Sequence, residues 1–199
     1  MTKPSPDSPD GTPARVVAAA REEIIHRGIL GMRVAKVAAR AECSITTIYL
    51  YFGSRDGLLA EVLLRLHNEM LDDQFALIRR QVLDCKKLKP DNIIEIIEKP
   101  ITGSSNGRHA MRNQVLAAAA SNPVLMAKLS ESLDTRRVEV DQLMDEIESR
   151  LQTGFRLDRQ AMRLYVFGMD WQYNTLLGDS AVTQAQLRNF MKQNLFVAA

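Results

Sequence analysis

From Pro13 almost to its carboxyl end, the chain repeats its apolar residues at the spacing of an α-helix. No stretch alternates apolar and polar residues as a half-buried strand does. A chain with that single periodicity can bury its apolar surface only by packing helix on helix. The expected fold is therefore all-α, with about nine helices and no sheet. Composition agrees, because aromatic residues make up only 6% while Ala, Leu, Met, Arg and Glu are plentiful. A length of 199 residues leaves room for one large domain or two small ones.

Punctuation divides the chain. Residues 1–12, rich in Pro, Ser and Asp, read as a disordered tail. Thr12-Pro13 opens a helix that Gly28 stops. A second short helix spans about Arg33 to Arg40, with Val34, Val37, Ala38 and Ala41 on one face. Ala41-Glu42-Cys43 turns the chain, and Ser44 caps a third helix that reaches Phe52. After Gly53-Ser54 a long fourth helix runs from Arg55 to about Asp84. Further helices are expected over 91–99, ended by Pro100, then from about Arg108 to Ala120 and from Pro123 to about Gln152. The last two run from Asp158 to about Leu177 and from Thr183 to Phe196. Residues 13–60 are expected to form one domain and 61–199 a second, helical one.

Several function classes are not supported. No apolar run approaches the ~18 residues of a membrane span. No apolar segment follows Lys3 as in a secretory signal, and Cys43 and Cys85 suit a reducing compartment, so a cytoplasmic protein is expected. There is no Gly-rich phosphate loop, no His-Glu-x-x-His and no nucleophile elbow, so neither an enzyme nor a cofactor is expected. His26, His67 and His109 have no ligand spacing with each other or with the cysteines, which speaks against a metal site. The acidic run Asp141, Asp145, Glu146 and Glu148 reads as a solvated helix face, and Lys86, Lys87 and Lys89 as a solvated loop.

The formal net charge of +2 is unevenly placed. Residues 61–199 carry eighteen charges of each sign, whereas residues 13–60 carry seven cations against four anions. A local basic excess of this kind is the footprint of a nucleic-acid contact. It coincides with two short helices joined by a three-residue turn, a helix-turn-helix arrangement. On the third helix Ile48 and Phe52 share the inward face, which leaves Ile45, Thr46, Tyr49 and Leu50 outward. Apolar and aromatic side chains grouped on the surface of so short a helix suit DNA better than water. Ile45 or a threonine methyl can meet a thymine methyl. Thr46 and Thr47 can donate to bases or phosphates, and the hydroxyls of Tyr49 and Tyr51 suit phosphate oxygens.

Residues 14–60 resemble the DNA-binding domain of the TetR (tetracycline-repressor-like) transcriptional regulators. The likeness rests on Ala19-Ala20, Gly28, Val34, Val37-Ala38 and Ala41. It continues through the run from Ser44 to Phe52 and ends on Ser54-Arg55-Asp56-Gly57-Leu58-Leu59. The resemblance implies a homodimeric repressor released from its double-stranded DNA operator by a small-molecule effector. It implies DNA contacts at Arg33, Ser44, Ile45, Thr46, Thr47, Tyr49, Leu50, Tyr51 and Arg55, with Ile45 and Thr46 as base readers. Thr47, Tyr49 and Tyr51 would touch the backbone, and Arg55 would clamp a phosphate at a helix amino terminus. The chain departs from the family at Met32, Glu42, Ile45 and Leu50. Glu42 stands at a turn position usually held by glycine, where a positive φ costs a side chain on the order of 1 kcal/mol. With no basic residue on the third helix, specificity leans on methyl contacts, hydroxyls and DNA shape.

The helix expected over Asp158–Leu177 is apolar on two faces. Leu164, Gly168, Trp171 and Thr175 form one face; Met162, Val166, Met169, Tyr173 and Leu177 form the other. One face can serve its own core and the other a second copy, the alternative being burial on both sides within one chain. Leu187, Phe190 and Met191 add apolar surface on the last helix. A dimer through Met162, Val166, Met169, Trp171, Tyr173, Leu187, Phe190 and Met191 would set two reading helices about one DNA turn apart, roughly 34–36 Å. Candidate effector contacts are His67, Met70, Gln74, Met111, Gln114, Met126 and Tyr165, soft or polar residues on apolar helical faces that otherwise read as core. Few charges point inward in this pattern, so a mainly apolar effector is expected. The alternative is a DNA-binding regulator controlled by a protein partner or without any small effector.

Overall fold

The computed structural model describes residues 11–102, 106–168 and 183–198. The expected tail therefore lies almost wholly outside the described residues, as do Met169, Trp171 and Tyr173. Among the described residues nine helices occur: α1 Thr12–Gly31, α2 Val34–Arg40, α3 Ile45–Phe52, α4 Arg55–Leu83, α5 Pro90–Thr102, α6 Asn106–Ser121, α7 Pro123–Arg150, α8 Arg159–Gly168 and α9 Gln184–Asn194. The all-α reading holds. α1 carries a break at Gly28, whose φ of 72° is left-handed, so the expected stop lies inside one nominal helix. α5 continues through Pro100 to Thr102 instead of ending there.

The expectation of no sheet is corrected in one place. Strand β1 (Phe155–Leu157) pairs antiparallel with β2 (Phe196–Ala198), Leu157 opposite Phe196. Three residues are too few to show an alternating pattern, and their partner lies some forty positions away, so local periodicity carries no trace of them. Asp158 accepts from Ala161 N at 2.8 Å and caps α8 just beyond β1. Thr183 caps α9 in a reciprocal box with Gln186.

The chain forms two compact units. The first comprises residues up to Glu69 together with Ala110–Leu133; the second comprises Met70–His109 and Asp134 onward. In the first, Val16, Ala20, Ile24, Val37, Ile48, Leu58 and Leu63 share a core with Val115, Ala119, Leu125 and Leu129. The amino-terminal helices thus complete their core with residues from the junction of α6 and α7. Asn122, nearly buried at that junction, uses both ends of its amide. Its Oδ1 accepts from Leu125 N at 3.0 Å and caps α7. Its Nδ2 donates to the Asp56 carbonyl at 3.0 Å, in the first turn of α4.

The second unit packs Ile93, Ile94 and Ile97 of α5 against Met144 and Ile147 of α7, Met162 and Tyr165 of α8, and Leu187 and Met191 of α9. The loop of Lys86 and Lys87 is pinned by Leu88, which is fully buried. Leu88 N donates to the Arg150 carbonyl and the Leu88 carbonyl accepts from Gln152 N, each at 2.8 Å. The acidic run on α7 is a strip of ion pairs rather than a solvated face. Asp141 holds Arg163, Asp145 and Glu148 share Arg159, and Glu146 holds Arg79. Those cations come from α4 and α8, which is why the sequence around the run does not reveal them.

Asn122→Ala removes a cap and leaves a part-buried carbonyl without its donor. We expect a loss of about 2 kcal/mol in urea unfolding of the whole chain. A change under about 0.5 kcal/mol, typical of an uninvolved surface position, would show that the junction is not a structural tie.

Candidate nucleic-acid interface

α3 is short, and its rotational phase decides what it shows to a partner. Ile48 is fully buried and Phe52 half-buried against the first core. The opposite face exposes Ile45, Thr46, Tyr49, Leu50 and Tyr51, with Leu50 80% exposed. The inward and outward faces thus fall where the sequence pattern predicts them. Ser44 caps the helix, accepting from Thr47 N at 2.9 Å, and its hydroxyl lies 2.8 Å from that of Thr47. Thr47 is half-buried beside this cap.

The turn before α3 carries strain. Glu42 has φ 53°, the sole positive φ at a non-glycine residue among the described residues. Its side chain is exposed and brings a carboxylate to the turn that orients α3. Arg15 Nε donates to the Ala41 carbonyl at 3.4 Å and helps to hold the turn from α1. Cys43, half-buried in the same turn, has its thiol pushed up by burial, with Arg15 opposing, which keeps it a protonated spacer.

The step from α3 to α4 depends on a glycine whose role is invisible in sequence. A Cβ at Gly57 would stand 2.0 Å from the Phe52 carbonyl oxygen, so only glycine lets α4 start so close to the end of α3. Ser54 caps α4 by accepting from Gly57 N at 3.0 Å. Arg55, half-buried, turns back. Its Nη2 donates to the carbonyls of Ile29 and Met32 at 3.4 and 3.5 Å. In this arrangement it braces the connection between α1 and α2, the segment that leads into Arg33.

The basic excess is largely committed. Arg21 pairs with Glu69, Arg27 with Glu23 and Arg40 with Glu22. Arg33 and Lys36 are exposed at the start of α2, and among the described residues no ion pair holds either. They are the cations of this unit most available to phosphate. Lys36 is the residue that the sequence reading passed over; its position on the outer face of α2 was the available signal.

The candidate effector residues fall into two groups. His67 (buried), Met111 (half-buried), Gln114 and Met126 belong to the first unit; Met70, Gln74 (both half-buried) and Tyr165 (buried) belong to the second. Gln114 and Met126 are exposed, because α6 turns Val115 and Ala119 inward and α7 turns Leu125 and Leu129. Among the candidate dimer residues, Met162, Leu187 and Met191 are buried in their own unit's core and Val166 is half-buried, while Phe190 is 49% exposed. The alternation of faces on α8 and α9 is therefore partly used up within one chain. Leu164, not among those candidates, is 64% exposed.

The expected scarcity of inward charge is corrected: Glu23, Glu98 and Arg136 are all buried. Arg136 is held by Asp72 and Glu139 and lies over the Phe75 ring. Glu98 Oε2 accepts from Arg188 Nε and Nη2 at 3.0 and 2.8 Å. Burial pushes the Tyr165 phenol up, and the Glu98 carboxylate adds to the shift, so its hydroxyl stays protonated. Among the described residues no three His, Cys, Asp or Glu side chains gather as a metal ion requires, and no helix is long and apolar enough to cross a membrane.

Comparison with known proteins agrees with this geometry. Residues 16–62 match the family described as bacterial regulatory proteins, tetR family. An HTH-type transcriptional repressor of Streptomyces coelicolor is 39% identical over 64 residues, a match that spans 32% of this chain and 32% of that relative. Among solved structures, a TetR-family transcriptional regulator of Mesorhizobium loti superposes with a TM-score of 0.64 at 16% identity, covering 92% of each chain. The multidrug binding protein EbrR complexed with imidazole superposes with a TM-score of 0.59 at 20% identity, covering 91% of this chain and 88% of that one. The same protein complexed with malachite green gives a TM-score of 0.54 at 17% identity, covering 92% and 97%.

Three outcomes are expected at this interface. Glu42→Gly relieves the left-handed strain and removes a negative charge, so it stabilises the chain by about 1 kcal/mol in urea unfolding and tightens DNA binding. A destabilised variant would show that the carboxylate is needed at the turn. Arg33→Ala and Lys36→Ala each flatten the salt dependence of DNA binding by about one phosphate contact, a slope change near 0.9. Arg55→Ala weakens binding without changing the slope; a flattened slope would make Arg55 a phosphate contact after all.

Proposed function

We propose that this chain is a TetR-type regulator, a homodimeric repressor that leaves its operator when a small, mainly apolar molecule binds its second unit; the match of residues 16–62 to the tetR family supports the reading. The observation that carries the DNA-binding part is the split face of α3. Ile48 is fully buried, and Ile45, Thr46, Tyr49, Leu50 and Tyr51 are presented together on the outside. With no cation on that helix, the reading of bases falls to methyl and hydroxyl contacts, and affinity comes from phosphate contacts at Arg33 and Lys36. Ser44 and Thr47 fix the amino end of the helix, so their contribution is to hold the reading face in register.

Dimerisation is supported by the apolar side chains that α8 and α9 leave outward, Leu164 and Phe190. A dimer of two copies would present two reading helices to the DNA, as half-sites about one helical turn apart require. Release by a small molecule is supported by the largely apolar interior of the second unit and by its likeness in fold to a multidrug binding protein seen with imidazole and with malachite green. In this reading Met70, Gln74 and Tyr165 are the effector contacts, since they share that unit.

The test is fluorescence anisotropy of the full chain on DNA from immediately upstream of its own gene, across a salt series. Wild type is expected to bind specifically as a dimer and to be released by members of a library of apolar small molecules. Tyr49→Ala is expected to abolish specific binding while sedimentation still reports a dimer. Retained operator affinity in that variant would remove α3 as the reader. Specific binding that no small molecule relieves would point instead to control by a protein partner.

A further inference from the structure

The eight residues of α3, Ile-Thr-Thr-Ile-Tyr-Leu-Tyr-Phe, include no Arg, Lys, Asn or Gln. Those four side chains supply the paired hydrogen bonds that single out guanine and adenine in the major groove. No such reading of a purine is open to this helix. Its hydroxyls are also partly committed: that of Thr47 lies 2.8 Å from the Ser44 hydroxyl at the cap, and Thr47 is half-buried, which leaves Thr46 as the exposed threonine. Leu50 stands about 200° around the helix from Ile48, and again from Phe52, at ~100° a residue. It therefore lies opposite the face that enters the core, and at 80% exposure it is the most exposed large apolar side chain of α3. Thr46, four residues earlier, shares its stripe. The residue of the reading helix that projects most directly at DNA is thus a leucine, with a threonine methyl beside it. A leucine there gains only from apolar contact, and the apolar group on the floor of the major groove is the C5-methyl of thymine.

We propose that Leu50, flanked by Thr46, is a specificity-determining residue that reads pyrimidine C5-methyl groups, and that the protein takes 5-methylcytosine in place of thymine at the position Leu50 meets. Cytosine carries only hydrogen at C5, whereas 5-methylcytosine carries the methyl at the same ring position as thymine. The methyl also faces the major groove in both. A helix that hydrogen-bonds a base edge distinguishes thymine O4 from the cytosine amino group; a leucine senses the methyl alone. Cytosine-C5 methylation at that position therefore strengthens the complex. The partner is double-stranded DNA because the exposed cations Arg33 and Lys36 stand on the preceding helix, where they complement phosphate. The inference rests on the operator-binding reading and adds to it the chemical mark that the operator carries.

The experiment measures anisotropy of the full chain on synthetic duplexes of the sequence immediately upstream of its own gene. In each duplex one thymine is replaced by deoxyuridine, which removes a methyl and leaves every hydrogen-bonding group in place. At the positions that Leu50 meets, wild type is expected to lose about fourfold in affinity, the worth of one buried methyl. At those positions the pair is then changed to C·G with and without a C5-methyl; the methylated form is expected to bind about fourfold more tightly. Leu50→Ala is expected to reduce both differences to less than about twofold, and the exposed position puts the fold at no risk. Specific binding that is the same with thymine and with deoxyuridine overturns this inference and leaves the repressor reading standing. Differences that survive in Leu50→Ala overturn it too, because the methyl then acts through DNA shape. No specific binding to the thymine duplex removes the operator reading and the inference together.

Discussion

The burial of Ile48 sets the rest of the amino-terminal unit. α3 has eight residues, too few to be stable by itself, so it takes its orientation from the core it joins. Ile48 supplies about 2 kcal/mol of burial and fixes the rotation of the helix. With Ile48 inward, helical geometry leaves no choice about which side chains face outward. The left-handed Glu42, the Ser44 cap and the Gly57 approach then fix where α3 begins, how it points and how soon the chain turns into α4. Each of these acts on backbone geometry, and their joint effect is a rigid platform for side chains that have no other use on a water-facing surface.

That platform is not self-contained. Its core is completed by Val115, Ala119, Leu125 and Leu129, and Asn122 ties the α6–α7 junction to the first turn of α4. The same helices, α4, α6 and α7, continue into the second unit.

The second unit uses charge differently. Its outer strip on α7 binds α4 and α8 through Arg79, Arg159 and Arg163, half-exposed ion pairs that are worth little singly but fix the packing of long helices as a network. Inside, Arg136 and Glu98 are held by specific partners rather than by solvent.

What the sequence by itself determined here was local. Helical periodicity, Ser44 as a cap, Asp158 and Thr183 as helix starts, and the alternation of Ile48 and Phe52 against Ile45 and Tyr49 were all legible, because each depends on residues within one or two turns of one another. The positive φ at Glu42 was suggested only by the family resemblance, which places a glycine at that turn. What only the tertiary structure decided involves partners far apart in the chain. Arg55 bracing Ile29 and Met32, Asn122 holding Asp56, Arg188 holding Glu98, and the pairing of β1 with β2 join positions between 23 and 90 residues apart. No local pattern encodes such a pairing. It follows from which helix faces remain after each core is filled, and that competition is settled only when all the helices pack at once.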